Sequence, residues 1–146
     1  MDKPRHTFRK FERLTLKRDT DAIFSPGSKS FSAFPLRAIY RAGDFCDTEV
    51  KVLMSVGKRH FKHAVDRNRA KRQMREAYRL NKQILTAEVA ARNDAATAAE
   101  RKTLKVAFVW IADTPQSSEL VARKMKNLLH RIAESLPAAA KGETNL

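Results

Sequence analysis

The chain has 146 residues and a formal net charge of +14, from 30 Lys and Arg against 16 Asp and Glu. Its length suits one domain with a substantial core, and its single cysteine, Cys46, excludes an internal disulfide and a zinc site built from cysteines. Because the sequence has neither an apolar run of membrane-spanning length nor the apolar core of a signal peptide, we expect a cytoplasmic protein without a membrane contact.

Two segments hold nearly all of the excess positive charge. Residues 58–82 contain ten Lys and Arg against two Asp and Glu, and residues 1–18 contain seven against two. Charge concentrated in this way is typical of a nucleic-acid footprint. We expect residues 1–12 to form a flexible basic arm, in which Phe8 and Phe11 either stack on unpaired bases or pack on the core.

Short periodic segments follow the arm. A short helix is predicted over Asp19–Phe24. Alternating apolar residues predict one strand over Phe31–Tyr40, with Pro35 at an edge or a bulge, and a second, antiparallel strand over Val50–Val56. The intervening Arg41–Glu49 contains a glycine and several acids, which indicates a hairpin connection.

The most charged stretch follows the loop at 58–63 and has the period of an amphipathic helix. From Val65 onward, apolar residues recur every three or four positions, and the stripe that we expect to be buried is Ala70, Met74, Ala77, Leu80 and Ile84. An adjoining arc, which includes the amide of Asn68, carries the bases Arg67, Lys71, Arg72, Arg75, Arg79 and Lys82. Like charges four positions apart oppose a helix by roughly 0.2–0.5 kcal/mol per pair. A solvated face would mix both signs, so an external polyanion is the simplest reason for this arc.

The rest of the chain predicts two further helices and one strand. The Ala-rich stretch Thr86–Lys102 favours a helical extension interrupted near Asn93-Asp94. The nearly continuous apolar run Leu104–Ile111 indicates a strand that is covered on both faces. A last helix, capped by Ser117 or Ser118 and ended by Pro137, should bury Val121, Met125, Leu128, Leu129, Ile132 and Leu136. This order of elements predicts an α+β fold, a single two-layer sandwich with helices packed on one face of a small sheet.

No constellation of catalytic side chains is evident. His60 and His63 lie close together, but their basic neighbours make them poor metal ligands, and we expect no metal site in the protein. Asp44, Asp47 and Glu49 could form the magnesium site of a nuclease, although acids at a surface turn are the commoner explanation.

The segment AVDRNRAKRQMREA, Ala64–Ala77, resembles the RNR signature of the bacterial ribonuclease P protein component, whose core pattern is A-V-x-R-N-x-x-K-R-x-x-R-E. The likeness extends to Arg13-Leu14, to Met54–Arg59 and to the last strand and helix. In that family, the protein is the non-catalytic subunit of an endoribonuclease whose RNA removes the 5′ leader from precursor tRNA. The resemblance implies the same function here, with Mg²⁺ held mainly by the partner RNA, no organic cofactor and no obligatory protein partner.

The resemblance also implies the architecture. It predicts a ribonuclease P protein domain over residues 13–136, with an Ala-rich insertion at 86–103. The tail at 137–146 should be disordered, because Pro137 ends the last helix. The family has a small mixed sheet with a left-handed βαβ crossover, a fold shared with a ribosomal protein. The sequence departs from the family at Thr20, where an aromatic residue is frequent, and in the loop at 60–63, which is longer by about one residue.

The expected sites divide between two RNA partners. The residues expected to bind the catalytic RNA are Lys58, Arg59, Arg67, Asn68, Arg69, Lys71, Arg72, Arg75 and Arg79. The cleft for the leader of precursor tRNA would be lined by Arg13, Phe24, Arg37 and Tyr40, although Phe24 and Tyr40 also suit the core.

Three other functions fit parts of the sequence. One is a ribosome-associated or general structured-RNA-binding protein without a role in cleavage, and another is a helix that binds duplex DNA. The third is a protein nuclease that uses the acids of the hairpin connection, which would cleave RNA by itself and lose this activity in Asp47→Ala.

Overall fold

The structure, a computed structural model, describes residues 13, 23–24, 26–44, 48–97 and 100–136. These residues form four strands and three helices, which are β1 Lys29–Ala33, β2 Leu36–Asp44, β3 Val50–Val56, α1 Ala64–Asn81, α2 Gln83–Ala95, β4 Lys102–Trp110 and α3 Ser118–Ser135. The predicted arm at 1–12, the tail at 137–146 and most of the predicted helix at 19–24 lie outside the described residues.

The four strands form one mixed sheet in the order β1-β2-β4-β3. β4 is antiparallel to β2 and parallel to β3, with Phe108 opposite both Ala38 and Met54. The parallel pair is joined by a crossover that contains α1 and α2. The predicted α+β class is confirmed. β3 runs opposite to β2, as predicted, but the two strands are not neighbours, because the apolar β4 inserts between them.

The strand predicted over residues 31–40 is in fact a hairpin. β1 and β2 pair across a turn at Phe34-Pro35, which has a cis peptide bond, and Ala33 lies opposite Leu36. The side chains that pack toward the helices therefore change from odd positions in β1 to even positions in β2. The predicted connection at 41–49 is partly wrong as well, since β2 continues to Asp44 against the start of β4.

The core lies between the sheet and the three helices. In α1, Ala70, Met74 and Ala77 are buried as predicted, but Leu80 is 49% exposed and Tyr78 is fully buried. The reason is angular: at 100° per residue, Tyr78 lies about 40° from Met74, whereas Leu80 lies about 120° away. The ring of Tyr78 packs 5.9 Å from the ring of Phe108.

The Ala-rich stretch forms α2, which buries Leu85 and Val89. The helix continues through Asn93 to Ala95, slightly beyond the predicted interruption. Whether this stretch is an insertion relative to the family stays a prediction.

In α3, Ser117 is the N-cap, its hydroxyl accepting from Leu120 N at 3.1 Å. The predicted stripe of α3 is confirmed, and in the described chain no helix is long and apolar enough to span a membrane.

Candidate nucleic-acid interface

The outer face of α1 carries exposed bases. The buried residues of this helix point toward α3 and the sheet, so that Asn68, Arg69, Arg72 and Arg75 are exposed on the opposite side. None of these three arginines has an acidic partner among the described residues. Their guanidinium groups are therefore not held in ion pairs by the described part of the molecule and can bind a polyanion. Lys71 is half-buried at the margin of the same face.

Arg79 differs from these bases because it is paired with Glu76. Its Nη2 lies 2.5 Å from Glu76 Oε2, and its Nε donates to Glu76 Oε1 at 3.2 Å. The hydrogen bond from Arg79 lowers the pKa of Glu76, and the same bond raises the pKa of Arg79. Among the predicted RNA-binding residues, Arg79 is thus already engaged by a carboxylate.

Arg67 also differs, because its side chain turns back to the loop that precedes α1. Its Nη1 donates to the carbonyl oxygen of Phe61 at 2.8 Å and to that of Lys62 at 3.2 Å. Lys58 and Arg59, both predicted to bind RNA, are exposed in this same loop. The loop and the outer face of α1 together form the basic surface, which comprises Lys58, Arg59, Lys62, Asn68, Arg69, Lys71, Arg72 and Arg75.

A shallow groove borders the basic surface where α1 meets the start of α3. The groove encloses about 300 Å³ and is lined by Arg69, Arg72, Gln73, Glu76 and Ser118. The amide of Gln73 donates to Gln116 O at 2.9 Å and to Ser118 Oγ at 3.1 Å. Gln73, which the sequence did not single out, thus fixes α1 against the start of α3 beside two of the exposed arginines.

The sheet face that points away from the helices is a second basic region. By strand register, Lys105 lies opposite both Arg41 and Lys51, so three cations form a row across β2, β4 and β3. Sequence reasoning missed this row. The signal was available in principle, because these residues occupy the strand positions that alternate with the buried ones.

Two of the four residues predicted to contact the leader lie at this face, which is called the open sheet face because α1, α2 and α3 pack on the other side of the sheet, although Ile23 covers Ala107. Ile23 is fully buried against Ala107, so that the adjacent Phe24, 51% exposed, lies near the face. Arg37 is exposed on β2 and points to the same side. Arg13 forms an isolated bridge with Val52 at the edge of β3.

Tyr40 lies apart from the other predicted leader residues. It is 4% exposed and points toward the helices, where its ring stacks on Phe31 at 5.9 Å. Its hydroxyl lies 2.5 Å from Ser135 Oγ. The structure therefore places Tyr40 in the core, whereas Phe24 and Arg37 remain accessible at the open sheet face.

The acids of the alternative nuclease site are only partly described. Asp47 and the side chain of Asp44 lie outside the described residues, while Glu49 is half-buried next to β3. His60, considered as a metal ligand, has its Nδ1 2.7 Å from Asp113 Oδ1. Among the residues with described positions, no group of three or more His, Cys, Asp and Glu could hold a metal ion.

Comparison with known proteins assigns the family. The family model described as Ribonuclease P matches residues 8–133. The chain belongs to the ribonuclease P protein family. A ribonuclease P protein component from Porphyromonas gingivalis is 39% identical over 132 residues, which is 90% of each chain. One from Chlorobaculum tepidum is 36% identical over 126 residues, covering 83% of this chain and 80% of the relative.

Solved structures of ribonuclease P proteins have the same fold. The protein from Thermotoga maritima superposes with a TM-score of 0.61 at 23% identity, covering 82% of this chain and 96% of the other. The protein from Staphylococcus aureus superposes with a TM-score of 0.62 at 17% identity, covering 84% and 95%. These structures confirm the fold, while the family model and the two relatives confirm the family membership predicted from the signature in α1.

Proposed function

We propose that this ribonuclease P protein is the non-catalytic subunit of a ribonucleoprotein whose RNA subunit cleaves the 5′ leader from precursor tRNA. The observation that carries the proposal is the basic surface, whose exposed arginines Arg69, Arg72 and Arg75 have no acidic partner among the described residues. Several guanidinium groups in a fixed array suit the phosphates of a folded RNA. The catalytic RNA therefore docks on α1 and on the loop before it.

The open sheet face suits the single-stranded leader. Phe24 offers an exposed ring on which a base can stack, and Arg37 supplies a cation on β2, which is the combination that binds single strands without reading their sequence. Because this face and the helical layer lie on opposite sides of the sheet, catalytic RNA and leader can be bound at the same time. Tyr40 is not part of this leader site, since it is buried under α3.

The protein raises the affinity for precursor tRNA and lowers the Mg²⁺ concentration that cleavage requires, while the reacting Mg²⁺ ions are held mainly by the RNA. Two polyanions must approach each other in this complex, and either protein cations or Mg²⁺ can reduce their repulsion. Near the outer face of α1, the carboxylates are Asp66 and Glu76, and Glu76 is occupied by Arg79. The basic surface therefore supplies positive charge rather than metal ligands.

The test is reconstitution with a bacterial ribonuclease P RNA and a precursor tRNA that carries a 5′ leader. Cleavage rates are measured over a series of Mg²⁺ concentrations, with and without the protein. We expect the protein to shift the half-maximal Mg²⁺ concentration downward and to lower the KM for the precursor. Coincident curves would refute the proposal, and RNA binding without activation would favour a general RNA-binding protein.

A further inference from the structure

The side chain of Arg67, the first arginine of the signature, is hydrogen-bonded to the protein's own backbone. Arg67 is half-buried, and its Nη1 makes two hydrogen bonds, to the carbonyl oxygens of Phe61 and Lys62. The bidentate fork with which arginine grips a phosphate needs adjacent guanidinium nitrogens pointing at the same anion. Here Nη1 is used by the loop, so the end pair of Nη1 and Nη2 cannot bind a phosphate without breaking these bonds, and only the side pair of Nε and Nη2 is left.

The loop from Gly57 to His63 is anchored at three further points. Its first turn closes with His60 N donating to Gly57 O at 3.1 Å. The ring of His60 pairs with Asp113 of the β4–α3 connection at 2.7 Å. The ring of Phe61, 7% exposed, packs 6.0 Å from that of Trp110.

Arg67 completes this scaffold from the side of α1. His63 occupies the N-cap of α1 without a capping bond from its side chain, so the guanidinium of Arg67 provides the side-chain link between the helix and the loop backbone. The cationic side chains of the loop, those of Lys58, Arg59 and Lys62, remain exposed. A loop that is already ordered binds at a lower entropic cost than one that orders on binding.

We propose that Arg67 is a positioning residue, which acts on RNA affinity by holding Lys58, Arg59 and Lys62 in a preformed cationic loop beside the exposed arginines of α1. Arg67 contributes to RNA affinity by positioning these three side chains and does not itself bind a phosphate of the RNA. The inference rests on the proposed function, because the ligand of the loop is the catalytic RNA.

A double-mutant cycle tests the inference. The dissociation constant for ribonuclease P RNA is measured at fixed salt for Arg67→Gln, both in the native protein and in a loop variant with Lys58→Gln, Arg59→Gln and Lys62→Gln. We expect Arg67→Gln to weaken binding about 5–10-fold in the native loop and less than about 2-fold in the loop variant, because coupled residues are not additive. Arg72→Gln is the matched control, and its loss should be the same in both backgrounds.

Hydrogen exchange in the free protein provides a second readout. Arg67→Gln should increase the exchange of backbone amides in residues 58–63, whereas Arg72→Gln should leave them unchanged. If the glutamine variant does not fold, Arg67→Lys enters the same cycle, since it keeps the charge but cannot reproduce the planar donor geometry.

Equal losses for Arg67→Gln in both backgrounds, or unchanged exchange in the loop, would overturn the positioning role. That outcome differs from failure of the proposed function. If Arg72→Gln and the loop variant both bind the RNA as tightly as the native protein, the proposed docking surface itself is wrong. If both bind more weakly and the loss from Arg67→Gln is additive, only the present inference fails.

Discussion

Arg72 and Arg79 carry the same charge on the same helix but have different surroundings. Arg72 is exposed without an acidic partner among the described residues, while Arg79 is bonded to Glu76 through two nitrogens. A phosphate that binds Arg79 must compete with this carboxylate. The two arginines should therefore contribute unequally to RNA affinity, although the sequence signature does not distinguish them.

Removing the carboxylate should release Arg79. We expect Glu76→Gln to tighten binding of ribonuclease P RNA by about 3–10-fold at low salt and to increase the salt dependence of the affinity, because a repulsive charge is lost and one more cation meets phosphate. Arg79→Gln should weaken binding less than Arg72→Gln does. Equal losses from the two arginine variants, measured by titration at the same salt, would contradict this account.

The ion pair with Arg79 should also change the pKa of Glu76. Its hydrogen bond from Arg79 lowers the pKa of Glu76, so the pair contributes to stability above the ordinary pKa of a glutamate. This contribution is lost as the pH falls through the lowered pKa. An NMR titration should give Glu76 a pKa below that of an ordinary glutamate, and Arg79→Gln should raise it. An identical pKa in both proteins would mean that the pair does not form in solution.

Tyr40 and Arg37 provide a second contrast, between opposite faces of β2. Ser135 Oγ donates its hydrogen to Ile132 O, so the hydroxyl of Tyr40 is the donor in its bond to Ser135. We expect Tyr40→Phe to lower the free energy of unfolding by about 0.5–1.5 kcal/mol, as the loss of one hydrogen bond does. It should leave leader binding unchanged.

Arg37→Gln, unlike Tyr40→Phe, should change leader binding and not stability. It should weaken the affinity of the holoenzyme for precursor tRNA several-fold while leaving the affinity for mature tRNA and the free energy of unfolding unchanged, because Arg37 is exposed at the open sheet face. Both variants can be compared by denaturant unfolding and by binding of the two tRNA forms. A leader-specific defect in Tyr40→Phe would refute the assignment of Tyr40 to the core.

At the scale of elements, α2 shows how an Ala-rich helix is held in place. It has few large apolar residues, and beside Leu85 and Val89 it buries Asn93. The amide of Asn93 donates to Lys102 O and accepts from Lys102 N, both at 2.9 Å. One side chain thus bonds both polar groups of the first residue of β4 and ties the end of the crossover to the sheet.

Replacing Asn93 should loosen this link. We expect Asn93→Ala to lower the free energy of unfolding by about 1–3 kcal/mol, because it removes two partly buried hydrogen bonds to the backbone of Lys102, each of which contributes about 0.5–1.5 kcal/mol. Asn127→Ala, on the exposed side of α3, is the matched control and should change stability by less than about 0.5 kcal/mol. Equal effects of the two variants in chemical denaturation would show that the hydrogen bonds of Asn93 do not contribute to stability.

Local periodicity predicted the elements that obey one period throughout. β3 and the stripe of α3 follow from alternation and from three- and four-residue steps, and both agree with the structure. The β1–β2 hairpin was missed because its turn takes only two residues, and the sole local sign is the change of apolar parity at Phe34-Pro35. Sheet order was not predictable either, since pairing of β4 with β2 and β3 depends on contacts remote in sequence.

The candidate site was predictable as a set of charges but not as a set of contacts. The sequence places Arg67, Arg72 and Arg79 on one helix arc. Only the structure separates Arg67, bound to loop carbonyls, and Arg79, bound to a carboxylate, from the exposed Arg72. Similarly, the row of Arg41, Lys105 and Lys51 exists only through the strand register.

At the scale of the whole molecule, the sheet separates two basic regions. The helical layer carries the basic surface on α1 and its preceding loop, and the opposite sheet face carries the row of Arg41, Lys105 and Lys51. The molecule has a net charge of +14, and the electrostatic repulsion between its two basic regions lowers the stability of the folded state. Binding of RNA relieves this repulsion, so the free energy of unfolding should increase in the complex.

The salt dependence of RNA binding tests the central claim most directly. The dissociation constant for ribonuclease P RNA is measured from low to moderate salt for the native protein and for Arg69→Gln/Arg72→Gln/Arg75→Gln. The matched control removes three charges from α3 instead, in Arg123→Gln/Lys124→Gln/Lys126→Gln. We predict that the α1 variant lowers the slope of log Kd against log salt by about 2–3, since each phosphate contact contributes about 0.7–0.9. The α3 variant should retain the native slope, and an unchanged slope in a folded α1 variant would contradict the account.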